Sequence, residues 1–517
     1  MAGGGLSGPL QPALLLAAGA LGFCALLTLN SGGYHYGVSD QAFYIPVVLD
    51  QMDPALFPHD DELIAAQDRF LFFDDWFAPL VRLTGLSLPV AFLAAHVLTL
   101  LLLYAAIIGI GRAVYRTWWA VGGLLFLMTA RHQIPYTSAN SVEGYFHPRM
   151  LAFAMGLSAT ALYLSGRTRW ALVVVGLTVL VHPTIGCWFA VLVGGAMILG
   201  GGIAPRTVLA GAVVAVVGVV LTLGDSLRDQ LVVMDATWLR VLATKGYLVT
   251  SDWPLVAWLT NLAITAFVFA LYRYRRSLGQ TSEREGALVA GCGLLLAVFV
   301  VSAPFSYAGV ALAVQLQVNR VFWLIDAVGM VLLAGVLFEG PRGLRPTVPP
   351  APVVPRRALV ALAIALALTR GGYRGFVERP ERPIVQVGLA DSDWTELMRW
   401  AATQPVGTHF LADPVHAPRY GVSVRAASGR DVYLELIKDS ALAIYSSDIA
   451  GRVARRIDDI GDFEALTVEH ARGLAGQYAI DFLITEQRLD LPVATSAGPL
   501  VVYELAGPDP VVVRRPR

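Results

Sequence analysis

Long apolar segments recur along most of this chain, and they constrain its fold more than any other feature of the sequence. A helix needs about 20 mostly apolar residues to cross the hydrocarbon of a bilayer, and runs of that kind recur between Leu14 and Leu368. Of the 517 residues, 56% are hydrophobic and only 15% are charged, which is unlike soluble domains. The sequence therefore predicts a polytopic α-helical membrane protein.

Hydropathy places about eleven transmembrane helices along the chain. The first segment, PALLLAAGALGFCALLTLN, has no basic residues before it and no clear small-residue cleavage site, so we predict a retained helix rather than a removed signal peptide. The other candidate spans lie at about 88–111, 117–130, 149–165, 170–181, 185–200, 207–223, 255–272, 286–302, 320–338 and 358–370. Several are short and could be tilted, re-entrant or extended by their flanks.

Arginine placement predicts the orientation of these spans. Basic residues accumulate in short cytoplasmic loops, and the connections that this rule assigns to the cytoplasm include those with Arg112 and Arg116 and with Arg167 and Arg169. The N-terminus is then cytoplasmic, and an odd number of spans puts the C-terminal region outside. We therefore expect a multi-pass protein of a bacterial-type cytoplasmic (inner) membrane.

Charge and cysteine content exclude two classes of function. The formal net charge is +0, so there is no excess of Lys and Arg to bind the phosphates of a nucleic acid, and no nucleic-acid partner is expected. Cys24, Cys187 and Cys292 all fall inside apolar runs, where cysteine usually acts as a small buried hydrophobe. Neither a disulfide framework nor a cysteine-based zinc site is predicted.

The C-terminal end of the chain is predicted to form a soluble domain. Hydropathy falls near Gly371, and DSDWTELMRWAATQP then shows helical spacing before THFLADP, which is typical of a strand. Further strands are predicted at DFLITE, LPVAT and PLVVYEL. We predict a membrane module at 1–370 and a small extracytoplasmic α/β domain at 371–517.

The first water-facing loop, residues 30–87, is the richest in acidic and aromatic side chains. AFYIPVVLDQM and RFLFFDDWFAPLV are predicted to be interfacial helices. Asp40, in YHYGVSDQAFY, directly follows the first span, and its carboxylate is either a general base or the N-cap of a helix that begins at Gln41. The acidic pairs at 60–61 and 74–75 are expected on a solvated face, because helix neighbours point in different directions.

The second loop, RHQIPYTSANSVEGYFHPRM, offers several reactive groups in a short connection. Glu143 and His147 could hydrogen-bond a sugar or join Asp40 around a divalent cation, Mg²⁺ or Mn²⁺. Arg149 could bind a phosphate through two parallel hydrogen bonds. The alternative is a structured helix start, with Pro148 in the first turn and Arg149 anchored to headgroups.

Two further positions could contact a ligand at the outer side of the membrane. His182, in VLVHPTIG, contacts a ligand or ends a helix. Arg320, in QLQVNRVFWLID, lies near the outer leaflet, where it binds a lipid phosphate or serves as an interfacial anchor. Asp326 is about two turns deeper, and we expect it to be a packing or charge partner.

This layout resembles the GT-C superfamily of integral membrane glycosyltransferases. Its members share a helical membrane module, a long first extracytoplasmic loop with interfacial helices, an acidic residue near the start of that loop and often a soluble C-terminal domain. Asp40 in GVSDQAFY stands where that acid is expected, although Gln41 follows it rather than a second acid.

The resemblance implies transfer of a sugar from a polyprenyl-phosphate donor to an extracytoplasmic acceptor, which is a glycan, a lipid or a protein. Asp40 is then the catalytic base. The candidate substrate-binding residues are Glu143, His147, Arg149, His182 and Arg320. A metal ion, if one is needed, would be held by Asp40, Glu143 and His147.

Two other classes of function remain open from the residues alone. A transporter or flippase for a lipid-linked or envelope precursor could place the same polar residues along a substrate path. A non-catalytic member of the superfamily could keep the helices as a scaffold for partner proteins. We find no inverted or parallel repeat of the kind that transporters show, and an extracytoplasmic α/β domain suits an enzyme that handles an acceptor.

Overall fold

The computed structural model describes residues 10–68, 72–202, 206, 230–339 and 355–505. The chain divides into two compact units, and neither is continuous in sequence. The helical unit comprises Met1–Tyr34, Phe92–Val232 and Tyr247–Val385, and the sheet unit comprises His35–Ala91, Val233–Gly246 and Gln386–Arg517. Most of the first loop therefore shares a unit with the C-terminal segment. The predicted division into a membrane module at 1–370 and a soluble domain at 371–517 stays a prediction.

The helices of the described residues follow one another from the first apolar segment to the C-terminal sheet. In chain order they are α1 (Leu10–Asn30), α2 (Gln41–Met52), α3 (Asp61–Asp68), α4 (Phe73–Thr84), α5 (Leu88–Val114), α6 (Trp118–Thr129), α7 (Pro148–Leu164), α8 (Thr168–Val181), α9 (Pro183–Phe189), α10 (Gly195–Leu199), α11 (Ala236–Leu242), α12 (Leu255–Ser277), α13 (Glu283–Tyr307), α14 (Ala311–Gln315), α15 (Val321–Phe338), α16 (Arg356–Phe376), α17 (Asp393–Ala402), α18 (His416–Tyr420), α19 (Val424–Ser428), α20 (Leu436–Leu442), α21 (Ser447–Ile460) and α22 (Val468–Tyr478). A π-helical turn, Ala190–Gly194, connects α9 and α10.

Within the described ranges, 6 helical segments are long and apolar enough to cross a membrane. They are Pro12–Asn30, Leu88–Val114, Leu255–Ser277, Glu283–Tyr307, Ala311–Phe338 and Arg356–Phe376. Shorter apolar helices lie at Trp118–Thr129, Thr168–Val181 and Pro183–Leu199. The chain is thus a multi-pass membrane protein. The total of about eleven spans is not confirmed, and the predicted span at 207–223 lies outside the described residues.

Glycine allows the helices of the helical unit to approach closely. A Cβ atom on Gly156 of α7 would lie 2.1 Å from the ring of Phe189, and one on Gly123 of α6 would lie 2.2 Å from the ring of Phe338. Small residues serve this purpose widely in membrane helix packing. Where α12 ends and α13 begins, the buried pair Arg275 and Glu285 is joined at 2.9 Å.

The sheet unit contains the predicted α/β fold. Its five-stranded sheet consists of β5 (His409–Leu411), β6 (Asp431–Val432), β7 (Phe482–Thr485), β8 (Val493–Ala497) and β9 (Leu500–Glu504). The earlier strands of the chain have two residues each and lie outside this sheet: β1 (Tyr34–His35), β2 (Gln133–Ile134), β3 (Ala139–Asn140) and β4 (Val385–Gln386). The order is β6-β5-β7-β9-β8. β5 pairs in parallel with β6 and β7, and β9 pairs antiparallel with β7 and β8. The small C-terminal sheet is therefore confirmed.

The first loop forms helices where the sequence predicted them, at α2 and α4. The expected solvated face of its acidic pairs is wrong in part, because Asp60 and Asp74 are buried, with 0% and 1% of their surface exposed. Asp74 lies on the buried side of α4 with Phe73 and Phe77. Asp61 and Asp75 are exposed as expected. One member of each pair thus faces the interior, since consecutive helical residues point in different directions.

Candidate functional site

Asp40 occupies the N-cap position of α2, but its side chain makes no capping hydrogen bond. Its carboxylate instead forms an ion pair with Lys438 of α20, with Oδ1 and Nζ 3.2 Å apart. The Asp40 side chain is 27% exposed and that of Lys438 is 11% exposed. The carboxylate is therefore half-buried, and an ammonium group of the C-terminal segment neutralises it.

Two further side chains of the sheet unit, Phe43 and Lys245, interact with this ion pair. The ring of Phe43, in the first turn of α2, lies 4.8 Å from the Lys438 ammonium, a cation–π distance. The charges of both Lys438 and Asp40 also act on Lys245. Burial and the positive charge of Lys438 lower the pKa of Lys245 to about 8, while the negative charge of Asp40 acts in the opposite direction.

Glu143, in the helical unit, is 2% exposed and bound on both carboxylate oxygens. Oε2 lies 3.4 Å from Arg131 Nη2, and Oε1 lies 3.5 Å from Arg149 Nη2. The side-chain amide of Asn140 donates to both oxygens, at 3.2 and 3.1 Å. Glu143 therefore orders the loop and orients two guanidinium groups.

His147 and Arg149 begin α7, and the structured helix start predicted for them is present. His147 holds the N-cap position with extended backbone, and Pro148 lies in the first turn. Arg149 is buried, and its Nη2 lies 3.4 Å from His147 Nε2. The burial of Arg149 differs from the headgroup anchor that the sequence also allowed, because its guanidinium pairs with Glu143 rather than with the surface.

His182 and Arg320 are brought together with Arg149 in the helical unit. His182 caps α9, since its Nδ1 accepts from the backbone N–H of Ile185 and lies 3.1 Å from the Thr184 hydroxyl. The ring hydrogen is therefore on Nε2, which leaves an N–H donor on that side. The positive charges of Arg149 and Arg320 both act on this imidazole. We call Arg149, His182 and Arg320 the cationic cluster.

The chemistry of the cationic cluster suits an anion. Arg149 and Arg320 are each only 6% exposed, and arginine binds phosphate in a bidentate, charge-assisted geometry. Asp326 pairs with His132, whose Nε2 lies 3.0 Å from Oδ2, which confirms its predicted role as a charge partner.

The residues predicted to hold a metal ion do not fit one. Over the described ranges, no group of three His, Cys, Asp or Glu side chains is placed to coordinate an ion. Each candidate ligand has a cation beside it: Lys438 beside Asp40, Arg131 and Arg149 beside Glu143, and Arg149 beside His147. A divalent cation would meet like charge at all three side chains.

A second carboxylate of the first loop, Asp60, binds three arginines of the C-terminal segment. Its Oδ2 lies 2.6 Å from Arg425 Nε, and its Oδ1 lies 2.5 Å from Arg452 Nη2 and 3.6 Å from Arg456 Nη1. Burial alone would raise the pKa of Asp60, but the three guanidinium groups hold it well below its usual value. Sequence reasoning missed both this network and Lys438, because no local pattern marks partners so far apart along the chain.

No protein-family model matches the chain, and no curated protein is similar to it. The chain is similar to solved structures of oligosaccharyltransferase from the archaeon Archaeoglobus fulgidus. The apo form matches with a TM-score of 0.45 and 14% identity, over 90% of this chain and 69% of that chain.

Two further structures match over the same shares, 90% of this chain and 69% of the other. One is the oligosaccharyltransferase AglB with an inhibitory peptide and a dolichol-phosphate, at a TM-score of 0.44 and 13% identity. The other is tethered by a disulfide to an acceptor peptide with the NVT sequon, at 0.41 and 14%.

Proposed function

We propose that this protein is a membrane glycosyltransferase that moves a sugar from a polyprenyl-phosphate donor to an extracytoplasmic acceptor. The observation that carries the proposal is the cationic cluster. Its two buried guanidinium groups both act on His182, whose Nε2 carries an N–H donor, and groups of this kind bind the oxygens of a phosphate. A polyprenyl phosphate brings that anion on a chain that dissolves in the bilayer.

Asp40 is the general base in this proposal. Its half-buried carboxylate remains accessible to an acceptor, and it takes the proton of the acceptor's nucleophilic group as that group bonds to the anomeric carbon. The bond from that carbon to the donor phosphate breaks through an oxocarbenium-like state. The phosphate leaves with the electron pair, and the cationic cluster stabilises its charge.

The C-terminal segment helps to receive the acceptor, which is a glycan, a lipid or a protein. It shares the sheet unit with Asp40 and supplies Lys438 to that carboxylate. The arginine distribution of the sequence supports a cytoplasmic N-terminus and an extracytoplasmic C-terminal segment in the inner membrane.

Mass spectrometry of envelope glycans tests the proposal. Cells that lack the protein are complemented with the wild type, with Asp40→Asn, with Arg320→Gln or with Asp61→Asn as the matched control, because Asp61 is an exposed acid of the same loop. We expect one sugar to disappear without the protein and in the first two variants, and to return with Asp61→Asn. Unchanged glycans in Asp40→Asn, with the lipid-linked precursor redistributed between leaflets, would instead identify a flippase.

A further inference from the structure

We propose that the Asp40 site uses an ammonium group of the protein, that of Lys438, where a divalent cation would otherwise sit, so that transfer is independent of metal. The inference rests on the proposed function and names how its base is held. Lys438 is a positioning residue, because it acts through Asp40.

The contacts of Lys438 fix its ammonium group at Asp40. Asp40 is the N-cap of α2 and Phe43 lies in its first turn, and Lys438 reaches both, at 3.2 Å from the carboxylate and 4.8 Å from the ring centroid. The lysine side chain is nearly buried, and its own backbone N–H is held by the carbonyl of Glu435. A buried ammonium with a carboxylate on one side and an aromatic face on another has little room to turn away.

Ammonium charge already lies at Asp40. Lys438 is 3.2 Å from its carboxylate, and the charges of both Lys438 and Asp40 act on Lys245. A dication approaching Asp40 would have to displace Lys438 and would be repelled by both lysines.

A positive group beside Asp40 serves the reaction in the way that a metal ion would serve it. It favours the ionised carboxylate, which must accept the proton, and it holds Oδ1 of that carboxylate in place. Removing the ammonium therefore raises the pH at which Asp40 becomes active as a base.

The experiment uses membranes from cells that express the full-length protein, with their endogenous lipid-linked donor, and it follows the glycan that cells without the protein fail to make. Membranes are washed with EDTA and assayed with and without added Mn²⁺, for the wild type, Lys438→Met and Lys438→Arg. Binding of Mn²⁺ to the purified wild type and to Asp40→Asn is measured in parallel by electron paramagnetic resonance.

We expect washed wild-type membranes to keep their rate within about twofold, since no bound metal is lost. Lys438→Met should lose at least about tenfold in rate, with the acid limb of its pH profile moved to higher pH, and Lys438→Arg should recover most of the rate. Mn²⁺ binding should be the same with and without the Asp40 carboxylate.

A wild-type rate that EDTA abolishes and Mn²⁺ restores would overturn the inference and leave the proposed function standing, as would Mn²⁺ binding that depends on Asp40. A pH profile unchanged in Lys438→Met, with the rate merely scaled down, also counts against it. If cells without the protein lose no glycan at all, the proposed function itself fails.

Discussion

Asp40 and Asp60 belong to the same loop and both bind cations of the C-terminal segment, yet their surroundings differ. Asp60 has no exposed surface and is held by Arg425, Arg452 and Arg456. The Asp40 side chain keeps 27% of its surface and pairs with Lys438. A fully buried carboxylate can only hold the fold together, whereas a half-buried one remains open to a reactant.

The surroundings of Asp60 extend this contrast. Arg425 also binds both carboxylate oxygens of Asp439, at 2.6 and 3.1 Å, and lies 3.7 Å from Glu435. Arg452 additionally donates to the backbone carbonyl of His59 at 2.7 Å. The network therefore joins the first loop to the C-terminal segment within the sheet unit, and it stabilises the fold of that unit.

The largest effect is expected from Asp60→Asn. This change removes the carboxylate that Arg425, Arg452 and Arg456 share, although Arg425 keeps its pair with Asp439. Breaking a buried ion pair costs about 3–5 kcal/mol. Thermal unfolding of the full-length protein in detergent should show a much lower Tm. Asp61→Asn is the control and should shift stability by no more than about 0.5 kcal/mol. Equal Tm values for the two variants would contradict a structural role for Asp60.

A smaller effect is expected from Glu435→Gln. Burial raises the pKa of Glu435 from 4.5 to about 7, although the charge of Arg425 opposes the shift. The folded state therefore holds this proton more tightly than the unfolded state does, so the stabilisation is complete below pH 4.5 and declines as the pH rises to about 7.

The magnitude of that decline is on the order of 3 kcal/mol. The free energy of unfolding is measured for the wild type and for Glu435→Gln across this pH range. Their difference isolates Glu435, because the other titrating groups are common to both proteins. The difference between the two proteins should change with pH. A constant difference would mean that Glu435 is ionised throughout and that its pairing with Arg425 dominates.

The smallest effect is expected where an ion pair is exposed. Arg240 and Asp458 form two hydrogen bonds, at 2.8 and 2.9 Å, but both side chains are 55% exposed. Solvent screens such a pair, so Asp458→Asn should leave the Tm unchanged. A large loss of stability at this pair would show that bidentate geometry, rather than burial, decides the strength of the arginine pairs in this unit.

The sequence predicted elements well where the signal is local. Long apolar segments predicted the helices of the helical unit. Short apolar runs next to turn residues predicted β5, β7, β8 and β9. The start of α7 at Pro148 was likewise predicted from the residues beside it. These features depend on neighbours along the chain, and those neighbours are visible in the sequence.

Long-range partners were not predictable in the same way. Lys438 lies 398 positions from Asp40, and nothing in its own segment marks it as a partner. Asp60 was expected on a solvated face, and only the fold shows that arginines of α19 and α21 enclose it. Charge pairing of this kind depends on tertiary packing, so a single sequence names the candidates and leaves their partners open.

The most direct test compares Asp40→Asn and Asp60→Asn in one experiment, with both the Tm of the full-length protein and the glycan product per folded molecule measured for each. We expect Asp40→Asn to lower the Tm much less than Asp60→Asn does, because the Asp40 side chain is 27% exposed. Its product should fall by roughly 10²-fold or more, the typical contribution of a general base. Asp60→Asn should lose Tm and keep its product per folded molecule. Full product from a folded Asp40→Asn variant would contradict the assignment of Asp40 as the base.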